Sequence, residues 1–176
     1  MAVRDIRLFP DPVLRRVAKP VTRITKRLVR LAHDMAETMY KANGVGLAAP
    51  QVGEDVRLVV IDVGDGLTTF VNPVIVAKDG SDVDVEGCLS IPGISAYVER
   101  AATVTVEALD LDGRPFRLEA GGLLARAIQH EIDHLDGVLI IDRATRLFRE
   151  ERRPGEEEPV SVEVDREELL RQEVAR

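Results

Sequence analysis

Residues 129–137 read Gln-His-Glu-Ile-Asp-His-Leu-Asp-Gly and contain an H-E-x-x-H at His130, Glu131 and His134. On a helix that turns every 3.6 residues, positions 130 and 134 lie one above the other, where both imidazoles can reach one cation. Glu131 sits about 100° further round, at the edge of that face, where a carboxylate can hold a cation-bound water without ligating the cation. Two histidines at this spacing are also compatible with a helix surface or with hydrogen-bonded core groups. The interposed Glu favours the metal reading, as does the sparing use of histidine: the chain has three, two of them here. The third, His33, has no partner at ligand spacing and reads as a helix-surface residue.

Patterning supplies the elements around this helix. Asp11 and Pro12 open a short helical turn to about Val17, in N-cap and first-position roles. A long N-terminal helix is expected from about Thr25 to Asn43, with Leu28, Leu31, Ala32, Met35, Met39 and Tyr40 at helical spacing and Asn43-Gly44 closing it. Val56–Val63 is a β-branched run typical of a buried strand. Phe70–Val76, Tyr97–Glu99, Thr103–Leu109 and Pro115–Glu119 read as further strands, with Leu111-Asp112-Gly113 as a hairpin turn. Helical periodicity returns over Gly122–Leu135, and Val138–Ile141 reads as a short strand or extended stretch. Strands grouped between two helices imply an α+β fold, with antiparallel β-sheets packed around a central helix that carries the H-E-x-x-H.

At 176 residues and 45% apolar, the chain can bury one substantial core. The expected organisation is a single catalytic domain over 1–153 and an acidic tail over 154–176, partly helical near 166–174 or flexible. One cysteine excludes an internal disulfide framework and suits a reducing compartment. Neither a secretory leader nor a membrane-length apolar run is apparent, so the expectation is a soluble cytoplasmic protein, a monomer with no membrane association. The net charge of −7 is unevenly spread. Residues 1–30 hold nine Lys/Arg against Asp5 and Asp11, whereas 154–176 hold eight acids against three Arg. Both segments suit a solvated surface, and the basic one also suits contact with a polyanion. Neither a Walker A pattern nor a strand-linked G-x-G-x-x-G occurs, and no DNA partner is expected.

A catalytic metal usually has three protein ligands and an open position. Cys88, in Glu86-Gly87-Cys88-Leu89-Ser90, is the candidate third ligand, in a polar, turn-like setting; the alternative is an inert small hydrophobe. A third unusual stretch is Gly44-Val45-Gly46-Leu47-Ala48-Ala49-Pro50-Gln51. It reads either as a plain helix-to-strand connection or as a loop that admits substrate backbone and offers Gln51 as an amide donor.

Together GVGLAAPQ (44–51), EGCLS (86–90) and QHEIDHLDG (129–137) resemble the three motifs of the peptide deformylase family, in order, within a similarity running from about residue 4 to 150. The resemblance implies removal of formate from the N-terminal formylmethionine of newly made proteins. It implies a divalent metal on Cys88, His130 and His134 with water in the fourth place, Fe²⁺ as the working ion, and Glu131 as general acid/base. Zn²⁺, Ni²⁺ or Co²⁺ also suit the donors. Gln51 and the backbone N–H of Leu89 become oxyanion donors, and Gly46 lends its backbone to substrate positioning. Val45, Leu123, Leu124 and Ala127 are candidates for an apolar methionine slot. Partners are formylmethionyl nascent chains and, transiently, the ribosome, reached through Arg4–Arg30 or Arg143–Arg153 because the tail is acidic. Some relatives carry an Arg shortly after EGCLSIP, where this chain reads Gly93-Ile94-Ser95-Ala96.

Two rival readings share these residues. A zinc endopeptidase would recruit a downstream Glu as third ligand in place of Cys88. A structural metal site would need a fourth protein ligand, and there is no second Cys to supply one.

Overall fold

The computed structural model describes residues 2–174. Its elements are helix α1 (Lys26–Lys41), strands β1 (Gly46–Ala48), β2 (Leu58–Ile61), β3 (Thr68–Asp79), β4 (Asp82–Cys88), β5 (Ile91–Arg100), β6 (Thr103–Leu109) and β7 (Pro115–Gly121), helices α2 (Gly122–Leu135) and α3 (Ile140–Arg143), strands β8 (Arg146–Glu151) and β9 (Val160–Val164), and helix α4 (Arg166–Val174). All strand pairing within the two sheets is antiparallel. One sheet has the order β1-β2-β3-β6-β7 and the other β4-β5-β8-β9. This is the expected α+β class.

The fully buried β2 shows how the layers form. Successive side chains of a strand point to opposite faces. Leu58 and Val60 pack with Leu31, Met35 and Met39 of α1, while Val59 and Ile61 pack with Ala125, Ile128 and Leu135 of α2. The first sheet thus has a helix on each face. A third cluster, which includes Cys88, Ile94, Ala96, Val98, Ile140, Leu147 and Leu169, forms the core beneath the second sheet.

Local chemistry sets the boundaries. Thr25 accepts the Leu28 N–H at 3.1 Å and starts α1, and Asn43 ends its exit turn at φ 57°. After α2 the chain turns at Gly137, φ 73°, where a Cβ would collide with the Arg15 carbonyl.

Several expectations are corrected. Val138–Ile141 is not a strand: the Asp142 carboxylate accepts the Leu139 N–H at 2.8 Å and starts the one-turn α3. Cys88 closes β4 immediately before the Leu89-Ser90 turn, so its turn-like setting holds, but the preceding residues are the Asp/Val alternation of a solvent-exposed edge strand. β5 runs over ten residues, far beyond Tyr97–Glu99. The tail is helical over 166–174, and rather than hanging loosely its 160–164 segment adds β9 to β8 while Leu169 enters the third core cluster.

Candidate metal centre

α2 carries His130 and His134 on one side, with ring centroids 5.1 Å apart. β4 ends against that side, and a break in its pairing register between Glu86 and Cys88 precedes the tight turn to β5. The Cys88 sulfur lies 3.3 Å from His134 Nε2. One donor atom from each of Cys88, His130 and His134 lies within 4.8 Å of the others. This is the one such trio among the described residues, and no downstream Glu joins it, which disfavours the endopeptidase ligand set.

A second layer orients His130. Its Nδ1 lies 2.8 Å from Glu86 Oε1. Burial pushes the Glu86 carboxyl up, but the Arg100 guanidinium and His130 outweigh that and hold it well below the usual range. An ionised Glu86 can only accept, so the imidazole proton sits on Nδ1 and Nε2 is left free as a ligand atom. Arg100 forks onto Glu86 at 2.8 and 2.9 Å and reaches Asp133 at 2.6 Å, where Arg143 closes the chain at 3.0 and 3.1 Å. These charges are tolerated in the interior because each is paired and hydrogen-bonded.

The donor set suits a divalent cation. Desolvation opposes a charged His130, yet Glu131, Cys88 and Glu86 raise it well above an ordinary imidazole, so the local field favours positive charge among these groups. Desolvation pushes His134 well below the ordinary value, toward the neutral form that ligates metals.

Glu131 is 2% exposed, and its Oε2 is buried without a hydrogen-bond partner. Burial raises its pKa to about 7, with the charge of His130 opposing. Gly46 lies against it: a Cβ there would stand 3.0 Å from Glu131 Cγ. Gln51 accepts the Ala48 N–H at 2.9 Å and donates to Ser90 Oγ at 3.1 Å, leaving its amide nitrogen 3.8 Å from the Cys88 sulfur.

These groups open onto a cavity of about 380 Å³ whose walls include Val45, Gly46, Leu89, Leu123, Arg126 and Ala127. Leu124 is a correction: it points away from the cavity and packs against the first sheet's core. Ile94, from the segment that departs from some relatives, lines the cavity beside Gly93. His33 is exposed on α1. Glu86, Arg100 and Arg126 were not singled out from the sequence. Arg126 carried one signal, a cation one turn before His130 on the same stripe as Leu123 and Ala127.

A helix-borne H-E-x-x-H beside a strand-borne thiol, open to a cavity, places the chain in the class of metallohydrolases. The sequence pattern of the polypeptide deformylase family matches residues 3–150. The chain belongs to that family. A peptide deformylase of Caldicellulosiruptor bescii is 55% identical over 151 residues, 86% of this chain and 91% of that protein. The crystal structure of the Thermotoga maritima peptide deformylase superposes with a TM-score of 0.81 at 46% identity, covering 82% of this chain and 99% of that one. That of Synechococcus elongatus, solved in complex with actinonin, gives 0.78 at 48% identity, covering 80% and 78%.

Proposed function

We propose that this chain hydrolyses the formamide at the N-terminal formylmethionine of newly made proteins in the cytoplasm, releasing formate. The convergence of Cys88, His130 and His134 beside the buried carboxylate of Glu131 carries this reading. The three side chains hold one divalent ion, Fe²⁺ by resemblance to the family, with Zn²⁺, Ni²⁺ and Co²⁺ as substitutes. When bound, the ion supplies Lewis acidity, lowering the pKa of a coordinated water toward neutrality.

The remaining work belongs to the chain. Glu131, buried beside the three ligands, takes a proton and returns it to the leaving amine. Gln51 is held by the Ala48 N–H and Ser90 with its amide nitrogen toward the centre, and with the Leu89 N–H it stabilises the carbonyl oxygen as charge develops. Each such donor lowers the barrier by about 3 kcal/mol. Val45, Leu123 and Ala127 wall the space for the methionine side chain, and Gly46 admits the peptide backbone.

The protein acts as a monomer in which residues 1–153 carry the catalytic residues, and the segment after residue 153 completes the second sheet and its core through β9 and Leu169. Ribosome contact runs through the first basic segment. Arg16, Lys19, Arg23, Lys26 and Arg30 are exposed and have no acidic partner within 4.0 Å among the described residues, whereas Arg146 and Arg149 are paired with Glu163 and Glu168. Salt-dependent co-sedimentation with ribosomes should weaken when those five cations are neutralised; an unchanged profile refutes the contact.

The test of the whole reading is anaerobic hydrolysis of formyl-Met-Ala-Ser after loading with Fe²⁺, Zn²⁺ or Ni²⁺. Formate release is expected, with inhibition by actinonin. No release with any of the three ions overturns it.

A further inference from the structure

The three donors come from two elements, the end of β4 and the middle of α2, so the centre forms only if strand and helix are held in register. Arg126 sits on α2 one turn before His130 and is 7% exposed. Its Nη1 donates to Glu86 Oε2 at 2.7 Å and to the Val98 carbonyl at 2.9 Å, and its Nη2 donates to the Asp82 carbonyl at 2.9 Å. Arg126 therefore grips β4 at two points, residues 82 and 86, and β5 at one.

Glu86 completes the link. Its Oε1 takes His130 Nδ1 and Arg100 Nη2, and its Oε2 takes Arg100 Nε and Arg126 Nη1. A carboxylate offers about four acceptor positions, and here all are filled. One carboxylate thus bridges residues 126 and 130 of the same helix, one oxygen to each. Cys88 follows Glu86 by two residues on β4. Arg100 also connects this carboxylate to α2, through Asp133; its backbone pairs with Asp82 as part of β5, and its side chain reaches β4 only at Glu86.

Resting on the metal reading above, we infer that Arg126 is a positioning residue: it fixes β4 against α2 and so sets the distance from the Cys88 sulfur to the two imidazoles. The planar guanidinium suits this, because it satisfies one carboxylate oxygen and two carbonyls at once, which an ammonium on a flexible stem does with less geometric control.

The test uses the full-length chain with Arg126→Met and Arg126→Lys. Transfer of Zn²⁺ to a chromophoric chelator gives metal affinity and release rate. The sulfur-to-metal charge-transfer band of Co²⁺-loaded protein reports the Cys88 bond. Loss of a partner outside the ligand shell typically lowers metal affinity 10–100-fold. That range is expected for Arg126→Met, with a smaller loss for Arg126→Lys and a weakened or shifted sulfur band in both. Melting of the metal-free protein should change less than melting of the loaded protein; a purely architectural role would lower both alike. Should Arg126→Met fail to fold, Arg126→Lys carries the test. Zn²⁺ release within about twofold of the parent in the folded variants, or equal losses in the two melting temperatures, overturns the inference. Cys88→Ser separates the two levels. If it keeps Zn²⁺ as the parent does, the metal reading falls and this inference with it. If it loses Zn²⁺ while the Arg126 variants keep it, only the positioning role falls.

Discussion

Gly46→Ala should damage catalysis while leaving the fold nearly untouched. Gly46 needs no left-handed backbone; its constraint is space. A Cβ would lie 3.0, 3.1 and 3.2 Å from Cγ, Cδ and Oε2 of Glu131, which is tighter than ordinary carbon contacts. β1 cannot yield easily, because Gly46 and Leu47 pair with Ile61 and Val60 of a fully buried strand. The carboxylate has to give way instead, by a few tenths of an ångström. Misplacing a catalytic group by a full ångström costs on the order of 100-fold, so this shift should cost about 10-fold, or about 1.4 kcal/mol of barrier. Losing glycine's freedom in the unfolded chain stabilises by about 0.4–1 kcal/mol and partly offsets the crowding. The melting temperature should therefore stay within roughly 4 °C, at about 2–4 °C per kcal/mol. Formate release at saturating formyl-Met-Ala-Ser, normalised to bound metal, is the assay. Gly121→Ala is the control, since its Cβ meets Thr103 Cγ2 at an ordinary 3.7 Å. Parental turnover in Gly46→Ala at full metal content would refute the placement of Glu131 as the proton carrier.

Other substitutions probe separate parts of the molecule. Glu131→Gln should lower kcat by about 10²–10⁴-fold while metal content and circular dichroism stay parental; retained turnover would remove Glu131 from the chemistry. Leu169→Ala, in the core beneath the second sheet, should cost about 2–5 kcal/mol in one cooperative urea transition. A cost near zero would mean that α4 does not belong to that cooperative unit. Asp34 supplies a pH dependence of stability: desolvation pushes its carboxyl up, but the Ala2 N–H at 2.7 Å and Arg4 at 3.0 Å outweigh it and hold the pKa below normal. The stabilisation is therefore complete above the unfolded value near 3.9 and disappears as pH falls through the lower folded value. Asp34→Asn should be the less stable protein at pH 6, with the gap closing as pH falls below that unfolded value; a gap independent of pH would contradict this.

Strongly periodic segments were legible in the sequence. The helix over Gly122–Leu135 and the strand Thr103–Leu109 fall at the expected residues, and α1 differs by one residue at its start and two at its end. Strands at and beside the borders of the second sheet were not legible. The border strand β4 alternates Asp with Val, β8 next to the other border carries Arg or Glu at four of its six positions, and the border strand β9 is only five residues long, so none reads as a buried run of Val and Ile. Val138–Ile141 failed for another reason: four apolar residues have no distinguishing period, and the Asp142 cap decides the conformation. In the site, the helical pair and the lone thiol could be read from spacing and composition. The partnership of Glu86 with Arg100 and Arg126 could not, because it depends on which buried cation meets which acid after the second sheet closes over α2.

The pairing of β9 with β8 also bears on solubility. A bare β8 would present an unpaired backbone ladder through Leu147 and Phe148, a template on which a second molecule could extend the sheet. The appended strand fills that position intramolecularly, and its Glu163 is tied back to Arg146 of β8. The opposite border, β4, is guarded by Asp82 and Asp84. Shortening the chain before residue 160 would thus convert a protected sheet into a self-associating one, with turbidity in concentrated solution as its visible sign.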